Sequence, residues 1–341
     1  MMKKVAVVIL NWNGRLFLEK FLPSVIQYSH KYADVIIADN ASTDDSVQFL
    51  KTHYPEIRII LLEKNYGFSK GYNLALKQVE ADYYVLLNSD IEVTENWITP
   101  VIELMETEEK IAVCQPKLLS YYEPLKFEYA GAAGGFIDKW GYPFCRGRLF
   151  QTMEEDKGQY DDVAEIFWAS GACMFVKANI YHEFGGLDDD FFAHMEEIDF
   201  CWRLKNFGYK IMYTPHSKVY HVGGGTLPKI SSRKTYLNFR NNIILLYKNL
   251  PTPQIFPVFF VRFFLDLIAA IRFLLDSGFA DMWAVFKAHY SFYAMLRRNL
   301  KKRKKIKHIH VSKIYNSSII SDYYIHNKKT FTDLDKQKLQ S

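Results

Sequence analysis

The chain has 341 residues, of which 49% are apolar and 16% aromatic. This composition excludes a disordered or fibrous protein and is sufficient for a large hydrophobic core. The four cysteines lie far apart without a C-x-x-C pair, so neither a zinc cluster nor a disulfide framework is indicated. The N-terminal apolar run, residues 5–10, is too short for a signal peptide. We therefore expect a reducing, cytoplasmic setting.

The net charge of +5 is concentrated near the C-terminus. Residues 297–313 contain nine Lys and Arg and no acid, so the rest of the chain carries a net charge of −4. The basic run directly follows an apolar, aromatic segment. That order favours a membrane surface over nucleic acid as a partner.

Short β-branched runs alternate with amphipathic helical patterns from residue 5 to about residue 115. Apolar residues recur at helical spacing in 18–25 and in 97–105. This pattern is typical of an α/β fold with a Rossmann-like, mostly parallel sheet and flanking helices. The predicted strands are Val5–Leu10, Val35–Ala38, Ile57–Leu62, Tyr83–Leu87 and Ile111–Cys114.

Polar residues follow four of these strands. Asn11 and Asn13 follow the first strand, and Asp39 and Asn40 follow the second. Because ligands of open α/β sheets bind outside the carboxyl ends of the strands, we expect these segments to converge on one crevice. A carboxylate at position 39 can accept hydrogen bonds from a base or ribose, although plain turn chemistry would also explain it.

The segments after the third and fourth strands suit phosphate and metal binding. Residues 65–73 place two glycines and a serine at a loop-to-helix junction, where free backbone amides suit a nucleotide. They match neither G-x-G-x-x-G nor a P-loop. Asn88, Ser89 and Asp90 end a strand apolar enough to be buried, where a carboxylate could hold Mg²⁺ or Mn²⁺ or simply close an Asx turn.

Loops and short strands are expected in residues 116–165, followed by a helix near residues 196–206. The start of that helix carries Glu196, Glu197 and Asp199. An ion pair from Asp199 to Arg203 and the helix dipole offer a structural explanation for these acids. Their apolar surroundings would instead raise a carboxyl pKa toward that of a general base. His221 ends a later strand before a glycine run, and an imidazole is an acceptable ligand of Mn²⁺.

The pattern of apolar and charged residues in the C-terminal third predicts an amphipathic helical segment. Residues 255–275 are long enough to span a bilayer but contain Arg262, Asp266 and Arg272, which helical geometry gathers on one side. We expect a helix lying in the membrane interface, with the basic run as a second anchoring signal. The alternative is a helical hairpin packed on the rest of the protein, with the basic run as a solvated tail. The predicted divisions are 1–250, 251–300 and 301–341.

Seven motifs in residues 4–250 together resemble the inverting glycosyltransferases of family 2, in their rhamnosyltransferase-like branch. The resemblance implies a GT-A fold, a UDP- or dTDP-sugar donor, a divalent cation (Mn²⁺ or Mg²⁺) and inversion at the anomeric carbon. The motifs are V-V-I-L-N-W-N-G, D-N-A-S-T-D-D-S, N-Y-G-F-S-K-G-Y-N, L-L-N-S-D, S-G-A-C-M-F-V-K, E-E-I-D-F-C-W-R and V-Y-H-V-G-G-G-T.

The resemblance also implies roles for individual residues. Asp90 would bind the metal as the last residue of a D-x-D-type motif, with Asn88 where many relatives have Asp, and His221 would face the metal or the diphosphate. Glu197 aligns with the catalytic base, and Glu196 is the alternative. The residues implied to bind the nucleotide sugar are Asn11, Asn13, Asp39, Asn40, Gly71, Asn73, Asn88 and Asp90.

The acceptor implied by this resemblance is a saccharide or a lipid-linked saccharide used in cell-surface polysaccharide synthesis. Trp168 and Asp199 are expected to contact it, although core packing explains such an aromatic residue equally well. The expected location is peripheral, on the inner face of the cytoplasmic membrane, with no nucleic acid partner. A non-catalytic nucleotide-binding scaffold and an oxidoreductase are the alternatives, and the missing glycine fingerprint disfavours the latter.

Overall fold

Strands and helices alternate through the N-terminal half of the chain, as the hydrophobic periodicity predicts. The computed structural model describes residues 3–223 and 231–339. The strands are β1 (Val5–Asn11), β2 (Ala33–Asp39), β3 (Arg58–Leu61), β4 (Tyr83–Asn88), β5 (Ile91–Val93), β6 (Ile111–Ser120), β7 (Gly135–Asp138), β8 (Pro143–Cys145), β9 (Arg148–Leu149), β10 (Thr152–Met153), β11 (Ala164–Ile166), β12 (Cys173–Lys177), β13 (Lys210–His221) and β14 (Ile314–Tyr315).

The helices follow the predicted apolar stripes where a stripe could be recognised. They are α1 (Arg15–Ser29), α2 (Ser46–His53), α3 (Gly67–Leu76), α4 (Thr99–Glu106), α5 (Ala178–Glu183), α6 (Glu196–Lys205), α7 (Ser232–Asn249), α8 (Thr252–Asp276), α9 (Phe279–Ala294), α10 (Leu296–Arg303) and α11 (Ile319–Tyr324). Helix α1 buries Leu18, Phe21, Leu22 and Val25 against the sheet, as the spacing predicts.

Within the described residues, nine strands form one sheet in the order β11-β13-β6-β12-β4-β1-β2-β3, and β5 pairs with β13. Strands β1, β2, β3, β4, β6 and β13 run in one direction, whereas β5, β11 and β12 are reversed. The predicted mostly parallel sheet is therefore confirmed. The later strand that ends at His221 is the long strand β13, with a register shift between Thr214 and Lys218.

A second, smaller sheet lies beside the first, and the C-terminal segment completes it. Strand β14 pairs with β7 in parallel, and Phe331 contacts the rings of Phe136 and Phe144. Residues 301–339 therefore do not form the solvated basic tail considered above. Their aromatic side chains fill the core beside this sheet, and burying such large apolar groups is more favourable than leaving them in water.

Part of the basic run is also held by the rest of the protein. Lys302 forms ion pairs with Asp188 and Asp190, and Arg303 donates hydrogen bonds to the carbonyl oxygens of Tyr247 and Leu250. The run therefore links α10 to the loop that precedes α6 and to the end of α7. Sequence alone could not show these pairings because they join residues more than fifty positions apart.

Helices α8 and α9 form a hairpin against α7, with polar side chains buried on its inner side. Arg262 and Asp266 pair there, and His289 lies 3.1 Å from the second oxygen of Asp266. Arg272 differs from the prediction, because it is exposed and pairs with Asp276 instead. The turn between α7 and α8 lies at residues 250–251. None of the helices in residues 3–223 and 231–339 combines the length and hydrophobicity that crossing a bilayer requires.

Candidate functional site

The ends of β1, β2 and β4 bring their polar residues to one edge of the sheet. Asn11 pairs in register with Asp39, and Leu10 pairs with Asn88. Because these neighbouring strands are parallel, the segments after them emerge side by side. The predicted convergence of these strand ends on one edge is therefore present in the fold.

Asp39 lies in a hydrogen-bonded turn between β2 and α2. One carboxylate oxygen accepts from the Ser42 amide (2.9 Å), and the other accepts from the Ser42 hydroxyl (2.6 Å) and from Asn11 Nδ2 (3.1 Å). Asn13 continues the network, because its side-chain oxygen accepts from the Thr43 amide. The turn therefore has a fixed shape, and Asn11, Asn13 and Asp39 lie together as expected.

The glycine-containing segment at the start of α3 lies against the loop before α6. The amides of Phe68 and Ser69 both donate to the carbonyl oxygen of Phe192, at 2.6 and 3.3 Å. Gly67 has a φ of +77°, and a Cβ there would lie only 2.6 Å from the same oxygen. The expectation of free amides for a phosphate is wrong for Phe68 and Ser69, because the protein's own backbone already uses them.

Asn40 and Gly71 lie next to each other in this region. The Asn40 side chain accepts from the Tyr66 amide and donates to the Gly67 carbonyl oxygen. A Cβ at position 71 would come within 3.2 Å of Asn40 Nδ2 and 3.0 Å of Leu10. Glycine at position 71 therefore allows α3 to approach β1 closely.

Asn73 is occupied by structural contacts, contrary to the expectation that it binds the nucleotide. Its amide group donates to the Leu187 carbonyl oxygen and to Asp189, and its oxygen accepts from the Tyr181 hydroxyl and the Leu187 amide. These four bonds exhaust its ordinary hydrogen-bonding capacity. The side chain holds the segment after α5 against α3, and no local sequence pattern indicates this distant partner.

His221 lies between two carboxylates at the end of β13. Its Nε2 is 3.2 Å from Asp90, and its Nδ1 is 3.2 Å from Glu128. Burial opposes a charge on the ring, but the two carboxylates outweigh it and raise the pKa of His221 to about 10. Burial likewise opposes charge on Asp90, yet the neighbouring imidazole holds the pKa of its carboxyl below the usual value. Sequence analysis missed Glu128, because it lies in an irregular segment without a motif.

Asp90 and His221 would hold a divalent cation only if the cation displaced the proton on His221 Nε2, since a metal-binding imidazole nitrogen must be deprotonated. No three His, Cys, Asp or Glu side chains converge as a metal cage in the described ranges 3–223 and 231–339. An imidazole held by a carboxylate through its other nitrogen is a common arrangement for a metal-binding histidine. Asn88 Nδ2 lies 3.4 Å from the same Nε2. Mg²⁺ and Mn²⁺ usually take further oxygens from phosphate and water. The glycine run that follows, Gly224–Thr226, lies outside the described residues.

The loop before α6 has an unusual backbone conformation. Phe192, His194 and Met195 all have positive φ, at 65°, 70° and 71°. Such values are rare for residues other than glycine and cost free energy that surrounding contacts must offset. Helix α6 begins directly afterwards, at Glu196. The strained loop thus sets where the two glutamates at the helix start are presented.

Glu196 and Glu197 each have a buried Oε2 atom without a hydrogen-bond partner among the described residues. Burial raises the pKa of Glu197 to about 7, partly offset by backbone hydrogen bonds. Burial and then the adjacent Glu197 charge raise the pKa of Glu196 well above its usual value. A buried carboxyl group without a structural partner is unusual, and a pKa near 7 suits a general base.

Glu197 lies next to the segment that contacts Asn88. A Cβ placed on Gly171 would be 3.9 Å from the Cβ of Glu197. The next residue, Ala172, accepts a hydrogen bond of 2.9 Å from the Asn88 amide. The predicted base and the strand end that leads to Asp90 are therefore neighbours across residues 171–172.

Two residues of α7 hold the strained loop. The amide group of Asn241 donates to the carbonyl oxygens of Phe191, Ala193 and His194, at 3.0, 2.9 and 2.7 Å. Arg240 donates to the Phe191 oxygen and to Asn241 Oδ1. Neither residue belongs to a motif recognised in the sequence. The sequence carries no signal for them, because the first half of α7 is rich in polar residues.

The two predicted acceptor residues are buried within the protein, so both predictions require correction. Trp168 is 4% exposed, and its indole nitrogen donates to the Phe136 carbonyl oxygen. Asp199 is fully buried and pairs with Arg203 and Lys248. The structural explanation of Asp199 is the correct one, because its charge is already compensated inside the protein.

Comparison with known proteins places these features in a family. Residues 6–172 match the model of Glycosyl transferase family 2. An N-acetylglucosaminyl-diphospho-decaprenol L-rhamnosyltransferase of Mycobacterium tuberculosis is 24% identical over 230 residues, covering 63% of this chain and 75% of the relative. The hexosyltransferase Agl10 of low-salt glycan biosynthesis in Haloferax volcanii is 21% identical, covering 72% of this chain and 76% of the relative.

Solved structures support the fold. GalNAc-T7 with UDP, GalNAc and Mn²⁺ superposes with a TM-score of 0.57 at 15% identity, and the match covers 92% of this chain and 59% of that one. The mannosyltransferase PcManGT from Pyrobaculum calidifontis, in complex with GDP-Man and Mn²⁺, gives a TM-score of 0.51 at 13% identity, covering 87% and 76% of the two chains. This chain is therefore similar to glycosyl transferase family 2 over residues 6–172 and to rhamnosyltransferases, and it has a GT-A-like fold.

Proposed function

We propose that the protein transfers a hexosyl or deoxyhexosyl group from a UDP- or dTDP-sugar to a hydroxyl of a saccharide or lipid-linked saccharide, with inversion, in cell-surface polysaccharide synthesis. Glu197 removes the proton of the acceptor hydroxyl while that oxygen attacks the sugar C1. The bond from C1 to the nucleoside diphosphate breaks as the new bond forms. No covalent enzyme intermediate is required.

The observation that carries this proposal is the unpartnered, buried carboxyl group of Glu197 at the start of α6. A carboxylate kept for structural reasons is normally paired, as Asp199 is in the same helix. Glu197 instead keeps a free oxygen and a pKa near neutrality. Its closeness to the segment that contacts Asn88 supports a role next to the donor.

Asp90 and His221 would face the donor diphosphate. A divalent cation held there would neutralise charge on the departing diphosphate. Asp90 offers a hard oxygen ligand, and Glu128 orients the imidazole. The Mn²⁺ named with the similar solved structures supports manganese as the cation for this chain. On the nucleoside side, Asn11, Asn13, Asp39 and Asn40 form the rigid wall of the crevice.

Donor and metal binding can be tested by thermal unfolding. We expect a matching UDP- or dTDP-sugar with Mn²⁺, at about 100 times its Kd, to raise the Tm by roughly 5 °C, because a ligand that binds only the native state stabilises it. Asp90→Ala should lose the Mn²⁺-dependent part of this shift. Asp34→Ala, which removes an exposed carboxylate at the start of β2, is the matched control. An unchanged Mn²⁺ effect in Asp90→Ala would exclude Asp90 as a metal ligand.

The hairpin of α8 and α9 supports a peripheral position on a membrane and hence a lipid-linked acceptor. Its buried side carries Arg262 and Asp266, so its outer side is apolar and exposed, which is the reverse of an ordinary surface helix. We call this outer side the apolar face. Its exposed residues are Phe256, Phe260, Phe263, Phe264, Leu267, Ile268, Ile271, Leu274, Leu275, Phe279, Trp283, Phe286, Tyr290 and Tyr293.

Basic side chains adjoin the apolar face. Arg297, Lys301, Lys304 and Lys305 are exposed, and none of them forms an ion pair with another described residue. Basic residues beside an apolar surface attract anionic lipids, and the two signals together are sufficient for stable attachment. The name of the mycobacterial relative, which includes a diphospho-decaprenol acceptor, is consistent with a lipid-linked acceptor here.

Vesicle flotation tests the membrane proposal. We expect the protein to float with vesicles of phosphatidylcholine and phosphatidylglycerol. The double variant Phe260→Asp, Trp283→Asp should bind at least about a hundredfold more weakly, because each ring contributes more than about 1.4 kcal/mol when buried, and each 1.4 kcal/mol is a factor of about ten. Leu16→Asp, at an exposed leucine of α1, should float like the wild type. Equal flotation of all three proteins would refute a membrane role for the apolar face.

A further inference from the structure

A group of cations lies where α7 meets α9. The Arg233 guanidinium is 4.9 Å from the ring centroid of Phe192. The Arg240 guanidinium and the Lys287 ammonium are 5.3 and 5.2 Å from the ring centroid of Tyr236. Within residues 3–223 and 231–339, none of these three cations forms an ion pair with a carboxylate. We refer to Arg233, Arg240, Lys287 and Tyr236 as the cationic cluster.

The nearby acids are already engaged with other groups. Asp190 pairs with Arg298 and Lys302, and Asp281 accepts a hydrogen bond from the Thr235 hydroxyl. The N–H groups of Arg240 donate hydrogen bonds to neutral acceptors. These are the backbone oxygens of residues 190 and 191 and the side-chain oxygen of residue 241. Among the described residues, no carboxylate forms an ion pair with Arg233, Arg240 or Lys287, so these cations remain available to an anionic ligand.

Tyr236 responds to this positive field. Burial raises the pKa of its phenol, but Ser291, Arg240 and Lys287 outweigh burial, so the pKa lies below its usual value. The hydroxyl is 3.0 Å from the Ser291 hydroxyl. A lowered phenol pKa means that the surroundings stabilise a negative charge. The same surroundings would also favour a bound anion.

The position of the cluster relates it to both parts of the proposed function. Arg233 contacts Phe192, within the strained loop that presents Glu197. Lys287 is exposed on α9 between Phe286 and Tyr290 of the apolar face. The cluster therefore lies between the proposed base and the surface proposed to contact lipid. A lipid-linked saccharide has its phosphate groups at the same place, between its sugar and its hydrocarbon chain.

We propose that Arg233, Arg240, Lys287 and the Tyr236 hydroxyl form a subsite for the diphosphate of a lipid-linked acceptor. This inference rests on the proposed function and specifies its acceptor class. Guanidinium groups bind phosphate oxygens in pairs, and the lysine adds a mobile point charge. The subsite holds the acceptor so that its sugar reaches Glu197 while its hydrocarbon chain remains along the apolar face.

Binding of a simple lipid diphosphate tests the inference. The probe is farnesyl diphosphate, measured by calorimetry against the full chain with saturating UDP, so that the donor site is occupied. We expect the double variant Arg233→Gln, Lys287→Gln to bind the probe at least about tenfold more weakly, since charged hydrogen bonds of this kind contribute more than one order of magnitude in affinity. Binding of farnesol, which lacks phosphate, should be equal in both proteins.

The matched control is Lys51→Gln, Arg58→Gln, which removes one Lys and one Arg from exposed positions on α2 and β3, outside both the cationic cluster and the apolar face. An equal loss in this control would show that general charge attracts the probe and would overturn the subsite. Lys287→Gln alone, at an exposed position, keeps the test valid if the double variant does not fold, and we expect it to bind the probe several-fold more weakly.

Two further experimental outcomes separate the diphosphate subsite from the proposed sugar transfer. If the cluster variants lose binding to phosphatidylglycerol vesicles but bind farnesyl diphosphate normally, the cluster contacts phospholipid headgroups and the acceptor assignment is wrong. If no nucleotide sugar stabilises the wild type while farnesyl diphosphate binding depends on the cluster, the proposed transfer fails but the diphosphate subsite stands. The two proposals can therefore fail separately.

Discussion

Glu197→Gln is expected to reduce the rate of sugar transfer by about 10²–10⁴-fold, the usual contribution of a general base. Glutamine keeps the shape of the side chain but cannot accept the acceptor proton. Donor-induced thermal stabilisation should remain, because Glu197 does not contact the residues proposed to bind the nucleotide. Transfer is measured by nucleotide release in the presence of acceptor. Near-normal turnover would exclude Glu197 as the base.

The pH dependence gives the same prediction a second readout. Burial raises the pKa of Glu197 to about 7, and only the deprotonated form can act as a base. The wild-type rate should therefore rise with pH through about 7 and level off above it. The residual rate of Glu197→Gln should not show this rise with pH. Glu196→Gln is the matched control. Burial and the Glu197 charge raise the pKa of Glu196 well above its usual value. Glu196→Gln keeps the carboxyl group of Glu197, so this replacement should leave the rise of the rate with pH in place.

The same pKa shift has a consequence for stability. A glutamate in the unfolded chain has a pKa of about 4.3, whereas that of Glu197 is about 7 in the folded protein. The folded state therefore binds the proton more tightly, and the free energy of unfolding falls as the pH rises from about 4.3 to about 7. Glu197→Gln removes this loss, so it should unfold at a higher temperature than the wild type at pH 8. Lower stability at pH 8 would contradict the assignment of a buried, unpartnered carboxylate.

Asn241→Ala is expected to lower kcat by about 10²-fold, the size of effect that a 1 Å displacement of a catalytic group can cause. The three carbonyl oxygens of the strained loop would lose their donor, and the positive φ values of Phe192, His194 and Met195 would no longer be offset. The KM for the donor should change little, because the loop does not hold the nucleotide. Steady-state kinetics measure kcat and the KM for the donor. The pH dependence of the rate shows whether the pKa of Glu197 has changed.

Asn242→Ala is the matched control, because it is the adjacent asparagine of the same helix and is also buried. It donates to the Gly141 carbonyl oxygen and accepts from Arg262, away from the strained loop. Each variant should lose about 1–3 kcal/mol of stability for each buried group left unpaired. Only Asn241→Ala should change kcat and shift the pH at which the rate rises. Equal kinetics in the two folded variants would show that Asn241 has a structural role alone.

The local parts of the site could be predicted because they depend on short-range patterns. Alternating β-branched runs gave the strands, and the polar residues after them gave Asn11, Asp39 and Asn88 as one edge. The family resemblance implied that Asp90 and His221 act together, and they lie 3.2 Å apart. The apolar surroundings of Glu197 indicated a raised pKa, in agreement with the direction that burial gives. The strand ends and the burial of Glu197 follow from sequence periodicity.

Only the tertiary structure decided what each polar side chain contacts. Asn73, Trp168 and Asp199 resemble site residues in the sequence, but distant partners occupy them within the protein. Glu128 and Asn241 lacked a motif, yet they contact His221 and hold the strained loop before α6. The free energy of a buried polar group depends on which partners the fold brings within about 3 Å, and that pairing has no local sequence pattern.

The C-terminal region shows the same division. The sequence determined an amphipathic helical segment followed by a basic run, because both are properties of neighbouring residues. The fold decided that Arg262 and Asp266 face inward, that Lys302 binds the loop before α6, and that Phe331 lies in the core. Whether a charge or a ring meets water or protein depends on surfaces far away in the chain. Local periodicity can define such a surface but cannot identify what covers it.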